Sequence, residues 1–168
     1  MIKDIERVLL SEEELKEIIK RLGKEITEDY KDKNLLVVSV LKGSVMVMAD
    51  LLREIKIPCQ IDFMSVSSYG SGTKTTGSVK IIKDLDIDLA GYDLLIVEDI
   101  LDSGVTLSSL KEILLTRDPA SVKICTLLDK PDRRKADIKA DYIGAQIPDA
   151  FVVGYGLDYD EKYRNLPY

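Results

Sequence analysis

The stretch LLIVEDILDSGVTL, residues 94–107, decides the interpretation of the whole sequence. Its apolar first half is typical of a buried strand, which ends at Glu98 and Asp99, and Asp102 then opens a turn that leads into a helix. Three carboxylates this close together repel one another, and proteins tolerate this where a cation or a polyhydroxyl ligand binds. The stretch therefore predicts a ligand site at the end of a strand.

Small or hydroxyl-bearing residues open the predicted helix: Ser103, Gly104, Val105 and Thr106. Their backbone N–H groups can surround a phosphate at the helix N-terminus. The segment thus offers a place for magnesium or sugar hydroxyls beside a place for a phosphate monoester. A plainer alternative is that Asp99 and Asp102 cap the helix while Glu98 faces solvent.

The rest of the chain alternates between helical and strand-like apolar patterns. Ser11 and Glu14 form a capping-box pattern before a predicted helix over 12–30. A second helix ends before Pro58, and a third follows the turn at 100–104. Residues 68–78, rich in glycine and hydroxyls, are predicted to form a mobile loop. Strands are predicted at 34–41, 59–67, 79–83, 93–99 and 121–129, with shorter ones at 141–147 and 151–156.

This alternation predicts an α/β fold, with a mainly parallel twisted sheet and helices on both faces. In such folds ligands bind at the carboxyl ends of the strands. Three segments are expected there: Lys42-Gly43, residues 98–106 and Asp129-Lys130. No GxGxxG pattern follows a strand, so nothing predicts a dinucleotide site.

The amino-acid composition excludes several classes of functional site. A chain of 168 residues, 45% of them hydrophobic, is long enough for one domain with a substantial core. The net charge of −6 argues against a general nucleic-acid surface. The sequence contains no histidine, which excludes histidine-based triads and histidine-ligated metals. Any acid or base must therefore be a carboxylate, a lysine or a tyrosine.

The sequence also predicts a soluble cytoplasmic protein. Its two cysteines, Cys59 and Cys125, are too few and too widely spaced for a zinc site, and no signal peptide accompanies them. No apolar run is long enough to span a membrane.

The motif VEDILDSGVT, residues 97–106, resembles the phosphoribosyl-pyrophosphate (PRPP) binding motif of type I phosphoribosyltransferases. Four further stretches are similar to the hypoxanthine-guanine phosphoribosyltransferase family, in the same order and with compatible spacing: residues 40–52, 65–71, 127–131 and 151–167. The resemblance covers residues 5–168. It implies a single type I phosphoribosyltransferase domain over 1–168, with a core at about 30–145. A small hood over the base site would come from the N-terminal segment and 146–168, and a mobile lid from 68–78.

The resemblance implies transfer of a ribosyl phosphate from PRPP to a 6-oxopurine, with expulsion of pyrophosphate. Glu98 and Asp99 match the acidic pair that contacts the ribose hydroxyls and holds Mg²⁺, and Asp158 is linked to a second magnesium. Asp102 matches the general base beside the purine ring. The 5′-phosphate would be bound by Asp102, Ser103, Gly104, Val105 and Thr106.

The remaining implied roles fall on three other parts of the chain. Pyrophosphate would contact Lys42, Gly43 and Arg164, and the family often has a non-proline cis peptide before this lysine. The purine would contact Lys130, Phe151, Val152 and Asp158. Ser68 and Tyr69 match the pair of the lid that closes over the reaction centre.

Plainer interpretations stay open for several of these residues. Lys42-Gly43 could be a simple strand-to-helix turn with a solvated lysine, and Lys130 a surface charge. Phe151 lies in a pattern more typical of core, Asp158 and Arg164 could form a surface ion pair, and the loop 68–78 could be a disordered loop of no consequence.

Two other functions compete at the level of the whole chain. One is a phosphoribosyltransferase-fold regulator that binds nucleotides and RNA, which the lack of a broad basic surface disfavours. The other is a transferase specific for adenine or pyrimidines, which Lys130 and Phe151 disfavour. The partners expected are PRPP and a 6-oxopurine, with no nucleic acid and no membrane. A homo-oligomer, a dimer or a tetramer, is expected from the resemblance.

Overall fold

The structure is a computed structural model that describes residues 2–68 and 78–168. Helices and strands alternate in these residues, as the sequence predicts. The helices are α1 (Glu12–Asp29), α2 (Val45–Glu54) and α3 (Val105–Leu115). The strands are β1 (Leu35–Val40), β2 (Gln60–Ser68), β3 (Val79–Lys83), β4 (Asp93–Leu101), β5 (Ser121–Asp129) and β6 (Tyr142–Gln146). Short 3₁₀ helices lie at Ile2–Asp4 and Pro131–Arg133.

The six strands form one sheet in the order β3-β2-β1-β4-β5-β6. Neighbouring strands from β2 to β6 are parallel, and only the edge strand β3 runs antiparallel, against β2. The prediction of a mainly parallel sheet is confirmed. Because β1, β4 and β5 are parallel neighbours, their carboxyl ends meet at one edge, where the chain leaves each strand towards Lys42, Asp102 and Lys130.

The two faces of the sheet pack into separate cores. Leu35 and Val37 of β1 join a cluster with α1 and α2, whereas the alternate residues Leu36 and Val38 join a cluster with α3. Side chains of successive strand residues point to opposite faces, so a strand buried on both faces reads as a continuous apolar run. The central strands are therefore fixed from both sides, and so is the edge at which they end.

Helix α1 begins where the sequence predicts. The Ser11 hydroxyl accepts a hydrogen bond from the Glu14 backbone N–H at 3.1 Å, and the Glu14 carboxylate accepts one from the Ser11 N–H at 2.8 Å. This reciprocal pair satisfies two of the N–H groups left open at a helix start. Across residues 2–68 and 78–168, none of the helices is long and apolar enough to cross a membrane.

The strand predicted at 151–156 is wrong. Gly154, Tyr155 and Gly156 have positive φ values of 96°, 47° and 101°, which an extended strand cannot accommodate. The Tyr155 and Gly156 N–H groups instead donate to the carbonyls of Leu166 and Arg164, both at 2.9 Å. The chain thereby folds into irregular turns above the carboxyl edge of the sheet.

Candidate active site

Two cavities lie along the carboxyl edge of the sheet. The smaller, of about 300 Å³, is lined by the ends of β1 and β4 and the start of α3, including Gly43, residues 98–104 and Thr106. The larger, of about 700 Å³, lies between residues 4–10 and 150–155, with Asp99, Leu127, Leu128 and several tyrosines in its wall. Asp99 lines both cavities, which places them on either side of one carboxylate.

The acidic pair at the end of β4 lies half-buried in this cleft. Burial raises the pKa of Glu98 well above its ordinary value, and the charge of Asp99 raises it further. Burial also raises the pKa of Asp99, and Asp158 adds to this. Two influences oppose it: backbone hydrogen bonds to its carboxylate, including one from Ile100 at 2.8 Å, and the charge of Arg164. Burial and mutual repulsion therefore make it costly to ionise both carboxyls, and a cation bound beside them would offset that cost.

The pair fits a magnesium ion that keeps much of its own coordination shell. Among the described residues, no group of three or more aspartate, glutamate, cysteine or histidine side chains is arranged to hold a metal ion. Mg²⁺ usually keeps several waters and binds through one or two carboxylates plus substrate phosphates. Glu98 and Asp99 supply what that mode of binding requires from the protein.

The side chain of Asp102 does not cap helix α3. The N-cap residue of α3 is Gly104, in the left-handed region at φ 77°, and it has no side chain to donate or accept. The Oδ1 atom of Asp102 lies 3.1 Å from Nε of Arg133, which also pairs with Asp149 at 3.2 Å. The capping alternative for Asp99 and Asp102 is therefore wrong.

The turn after β1 lies directly beside the acidic pair. The peptide bond between Leu41 and Lys42 is cis, as the resemblance implies. A methyl group on Gly43 would overlap the Oδ2 atom of Asp99, and one on Gly156 would overlap the carbonyl oxygen of Gly43. Glycine is therefore required at both positions for this close approach. The Lys42 ammonium pairs with Glu161 at 3.1 Å, and both side chains are largely exposed.

Arg164 reaches the same region from the C-terminal segment. Its Nη1 atom donates to the Gly156 carbonyl at 2.7 Å, and its Nη2 atom lies 3.3 Å from Oδ1 of Asp158. The Nε atom is buried with no hydrogen-bond partner among the described residues. Asp158 and Arg164 thus form the ion pair of the plainer alternative, but both side chains are at least two-thirds buried rather than at the open surface.

The larger cavity carries the aromatic residues. Phe151 is 75% exposed and makes an edge-to-face contact with Tyr159 at a ring separation of 5.9 Å, so the core alternative for Phe151 is wrong. Val152 is half-buried in the same wall. The cavity also includes Tyr159, Tyr163 and Tyr168, which the sequence analysis did not single out as site residues. These three tyrosines are scattered among polar residues without the period of a helix or a strand, so no sequence pattern points to them.

Several predicted site residues lie just outside the two cavities. Lys130 is only 7% exposed, so it is not a free surface charge, but it lies outside both linings, as Asp158 does. Arg164 lines a third cavity between α1, α2 and residues 164–167. Ser68 Oγ lies 3.4 Å from Thr106 Oγ1, which brings the last residue of β2 to the start of α3. Tyr69 lies outside the described residues.

Arg133 and Arg134 are functional candidates that the sequence analysis passed over. They belong to the basic run after Lys130, which reads as a solvated loop. In the structure Arg133 contacts Asp102, and Arg134 donates to the Asp102 carbonyl at 3.3 Å. Only their position at the sheet edge, which sequence spacing does not reveal, distinguishes them from surface charges.

Comparison with known proteins identifies the family. The profile of the phosphoribosyl transferase domain matches residues 8–160. The hypoxanthine-guanine phosphoribosyltransferase of Bacillus subtilis is 58% identical over 168 residues, covering 100% of this chain and 93% of that protein. The hypoxanthine phosphoribosyltransferase of Salmonella typhimurium is 55% identical over 169 residues, covering 99% of this chain and 95% of that protein.

A solved structure agrees in fold over the whole chain. The crystal structure of a hypoxanthine phosphoribosyltransferase from Staphylococcus aureus superimposes with a TM-score of 0.98 at 56% identity. The match covers 100% of this chain and 91% of the other. The sheet order, the acidic motif at the end of β4 and these relatives lead to one conclusion: the chain belongs to the phosphoribosyltransferase family of enzymes, in its hypoxanthine-guanine branch.

Proposed function

We propose that this enzyme joins hypoxanthine or guanine to PRPP, giving IMP or GMP and pyrophosphate. The observation that carries the proposal is the position of Asp99, which lines both the smaller cavity at the turn before α3 and the larger, mainly apolar cavity. A reaction between a phosphorylated sugar and a flat base needs two such compartments with the reacting carbon at their boundary. In the reaction a ring nitrogen of the purine bonds to the anomeric carbon, and the bond from that carbon to pyrophosphate breaks.

The phosphate end of PRPP fits the turn before α3. Ser103, Gly104, Val105 and Thr106 would bind the 5′-phosphate through backbone N–H groups and hydroxyls, together with the backbone of Asp102. Glu98 and Asp99 would contact the ribose hydroxyls and hold Mg²⁺, with Asp158 near a second ion. When bound, magnesium neutralises the charge that builds on the departing pyrophosphate.

Asp102 is proposed as the general base. As the new bond forms, the second nitrogen of the purine imidazole ring loses its proton, and the carboxylate can accept or stabilise that proton. The Asp102 side chain is 43% exposed and faces the smaller cavity. Its pairing with Arg133 fixes one oxygen and leaves the other for the substrate.

The base is proposed to lie in the larger cavity. Phe151 would stack on the purine, which fits its exposed ring, and the backbone of Val152 would contact the base edge. Lys130 would donate to the exocyclic oxygen, which favours 6-oxopurines over 6-aminopurines. Asp158 would lie near the amino group of guanine.

The pyrophosphate product is proposed to contact Lys42, Gly43 and Arg164. The Arg164 guanidinium already lies at the Gly156 carbonyl, which is adjacent to Gly43. Ser68 and Tyr69 would close over the site and exclude water, which otherwise hydrolyses PRPP.

Nucleotide formation from PRPP and Mg²⁺ tests the proposal, with hypoxanthine, guanine, xanthine, adenine and uracil assayed in parallel. Turnover of hypoxanthine and guanine, and its loss on chelation of magnesium, is the expected result. Turnover of adenine or uracil alone would refute the assigned base site. Binding of PRPP and RNA without any turnover would instead support the regulatory alternative.

Two further properties belong to the proposal. We expect a homo-oligomer, a dimer or a tetramer, because the resemblance to the family implies one. Light scattering would give the mass directly. A cytoplasmic location is consistent with the two unpaired cysteines, Cys59 and Cys125.

A further inference from the structure

Arg134 binds three acceptors at the carboxyl edge of the sheet, which lie at the end of β5, in its own loop and in the turn after β4. Its Nε atom donates to the Asp102 carbonyl at 3.3 Å, Nη1 donates to the Ile138 carbonyl at 3.1 Å, and Nη2 pairs with the carboxylate of Asp129. The side chains of Arg134 and Asp129 are only 16% and 7% exposed. A charge pair this sheltered from water is costly to form unless further hydrogen bonds satisfy its groups, and Arg134 donates two to backbone carbonyls.

The main chain after Arg134 binds the same turn. The N–H groups of Lys135 and Ala136 both donate to the Ser103 carbonyl, at 2.9 and 3.2 Å. Gly104 lies so close to Ile138 and Arg134 that a methyl group there would overlap the Ile138 side chain. Residues 134–138 therefore form a wall against the back of the turn that precedes α3.

The direction of these hydrogen bonds matters because the backbone of a loop attracts an anion with its N–H groups, whereas its carbonyl oxygens repel the anion. Here the carbonyl oxygens of Asp102 and Ser103 both accept hydrogen bonds from residues 134–136. The first N–H groups of α3 have no intrahelical partner, because no turn of helix lies before them to supply carbonyl acceptors. Val105 has a weak contact at 3.4 Å with the Ser103 hydroxyl. With the carbonyls held back, the N–H side of the turn is presented to the cavity.

We propose that Arg134, held by Asp129, is a positioning residue for PRPP. It fixes the peptide groups of the 102–104 turn with their carbonyls away from the ligand, so that the 5′-phosphate meets only donors. Asp129 is the last residue of β5 and directly precedes Lys130, so the same pair joins the purine side of the site to the phosphate side. This inference rests on the proposed use of the turn as the phosphate site.

The forked shape of the guanidinium explains why the position needs arginine. Three acceptors from three segments are bound by three different nitrogens. A lysine ammonium on its flexible chain can keep the ion pair with Asp129 but cannot match the fixed fork. Arg134→Lys should therefore retain part of the stability and little of the positioning.

The test measures PRPP binding separately from catalysis. Arg134→Ala, Arg134→Lys and Asp129→Asn are compared by titration calorimetry with PRPP in the absence of a base, and then by steady-state kinetics. Arg117→Ala is the matched control, because Arg117 also makes a two-pronged ion pair, with Asp84, on another side of the fold. Melting temperatures are recorded for all four variants.

Arg134→Ala should raise the Kd for PRPP by about tenfold or more, the effect of losing charge-assisted hydrogen bonds that fix the turn. The KM for the purine should change much less. Arg134→Lys should raise the Kd for PRPP by nearly as much as Arg134→Ala but stay better folded, because lysine keeps the ion pair and not the fork. The double variant of Asp129→Asn and Arg134→Ala should be no worse than Arg134→Ala alone, because the two residues act as a unit.

The proposal would be overturned if both Arg134 variants bound PRPP with a Kd within twofold of wild type while their melting temperatures fell as far as that of the control. Arg134 would then have only a structural role. Should Arg134→Ala fail to fold, Arg134→Lys and Asp129→Asn still decide the question. Wild-type protein that binds no PRPP would refute the proposed function instead, so the two failures are distinguishable.

Discussion

The Cα atom of Gly43 lies against the carboxylate of Asp99, with no room for a methyl group between them. Gly43→Ala must therefore displace Asp99 or the turn, and overpacking of this kind typically costs about 1–3 kcal/mol. We expect the KM for PRPP to rise by about tenfold or more, corresponding to that cost. Gly91→Ala is the control, since Gly91 has a positive φ of 80° but nothing within 4 Å of an added methyl group. Both variants should lose stability, but only Gly43→Ala should lose PRPP affinity.

Asp102→Asn tests the general base. We expect turnover to fall by about 100-fold or more, the usual contribution of a positioned base, while PRPP binding changes little. Stopped-flow and steady-state assays of nucleotide formation give the rate. Asp149→Asn is the control, because Asp149 pairs with the same Arg133 but lies outside the proposed machinery. Near-normal turnover in Asp102→Asn would remove Asp102 from this role.

Lys130→Ala tests the base site. Loss of a charged donor should raise the KM for hypoxanthine by about tenfold or more and weaken discrimination against adenine, with little change in the KM for PRPP. Lys139→Ala, at an exposed lysine of the same segment, should behave as wild type. If Lys130→Ala damages PRPP affinity more than purine affinity, the base has been placed at the wrong end of the cleft.

Acid stability should depend on Asp84. Arg117 donates to both of its carboxylate oxygens, at 2.7 and 2.9 Å, and this hydrogen bonding is the largest cause of the lowered pKa of Asp84. A carboxyl whose pKa is lower in the folded state stabilises the fold above its unfolded pKa of about 3.9, and this stabilisation is lost as the pH falls through the folded value. The pair is partly exposed, so we expect under about 1 kcal/mol.

Urea unfolding of wild type and Asp84→Asn at neutral and strongly acidic pH measures this contribution. The two proteins should differ in unfolding free energy at neutral pH and converge at low pH. An undiminished difference at strongly acidic pH would mean that the carboxyl acts through its shape rather than its charge.

Tyr30 carries a buried hydroxyl with no hydrogen-bond partner in the described part of the chain. Removing an unsatisfied buried polar group is expected to be neutral or to stabilise by about 1 kcal/mol. Its neighbour Tyr142 offers a matched comparison, because its hydroxyl donates to Asp29 at 2.7 Å. Thermal unfolding should show Tyr30→Phe at or above wild type and Tyr142→Phe about 1 kcal/mol below it. The reverse order would show that the Tyr30 hydroxyl is satisfied in solution.

The strands and helices were predictable because their residues repeat with the period of the element that they form. Strand β4 and the helix after it follow directly from the pattern around Glu98 and Asp99. The segment 151–156 was wrongly predicted because its run of apolar residues is typical of a strand. Its conformation is instead set by Gly154 and Gly156, which have positive φ values and pack against residues from other parts of the chain. Contacts such as Arg134 with the Asp102 carbonyl depend on which strands become neighbours, and sequence spacing does not encode that directly.

The larger cavity is built from segments that are far apart along the chain. Residues 4–10 form one wall and residues 150–168 supply much of the other, and the Tyr163 hydroxyl donates to Asp4 at 2.9 Å across them. The larger cavity therefore closes only when Tyr163 and Tyr168 reach residues 4–10. During synthesis the proposed base site is thus completed late, after the whole sheet has been translated.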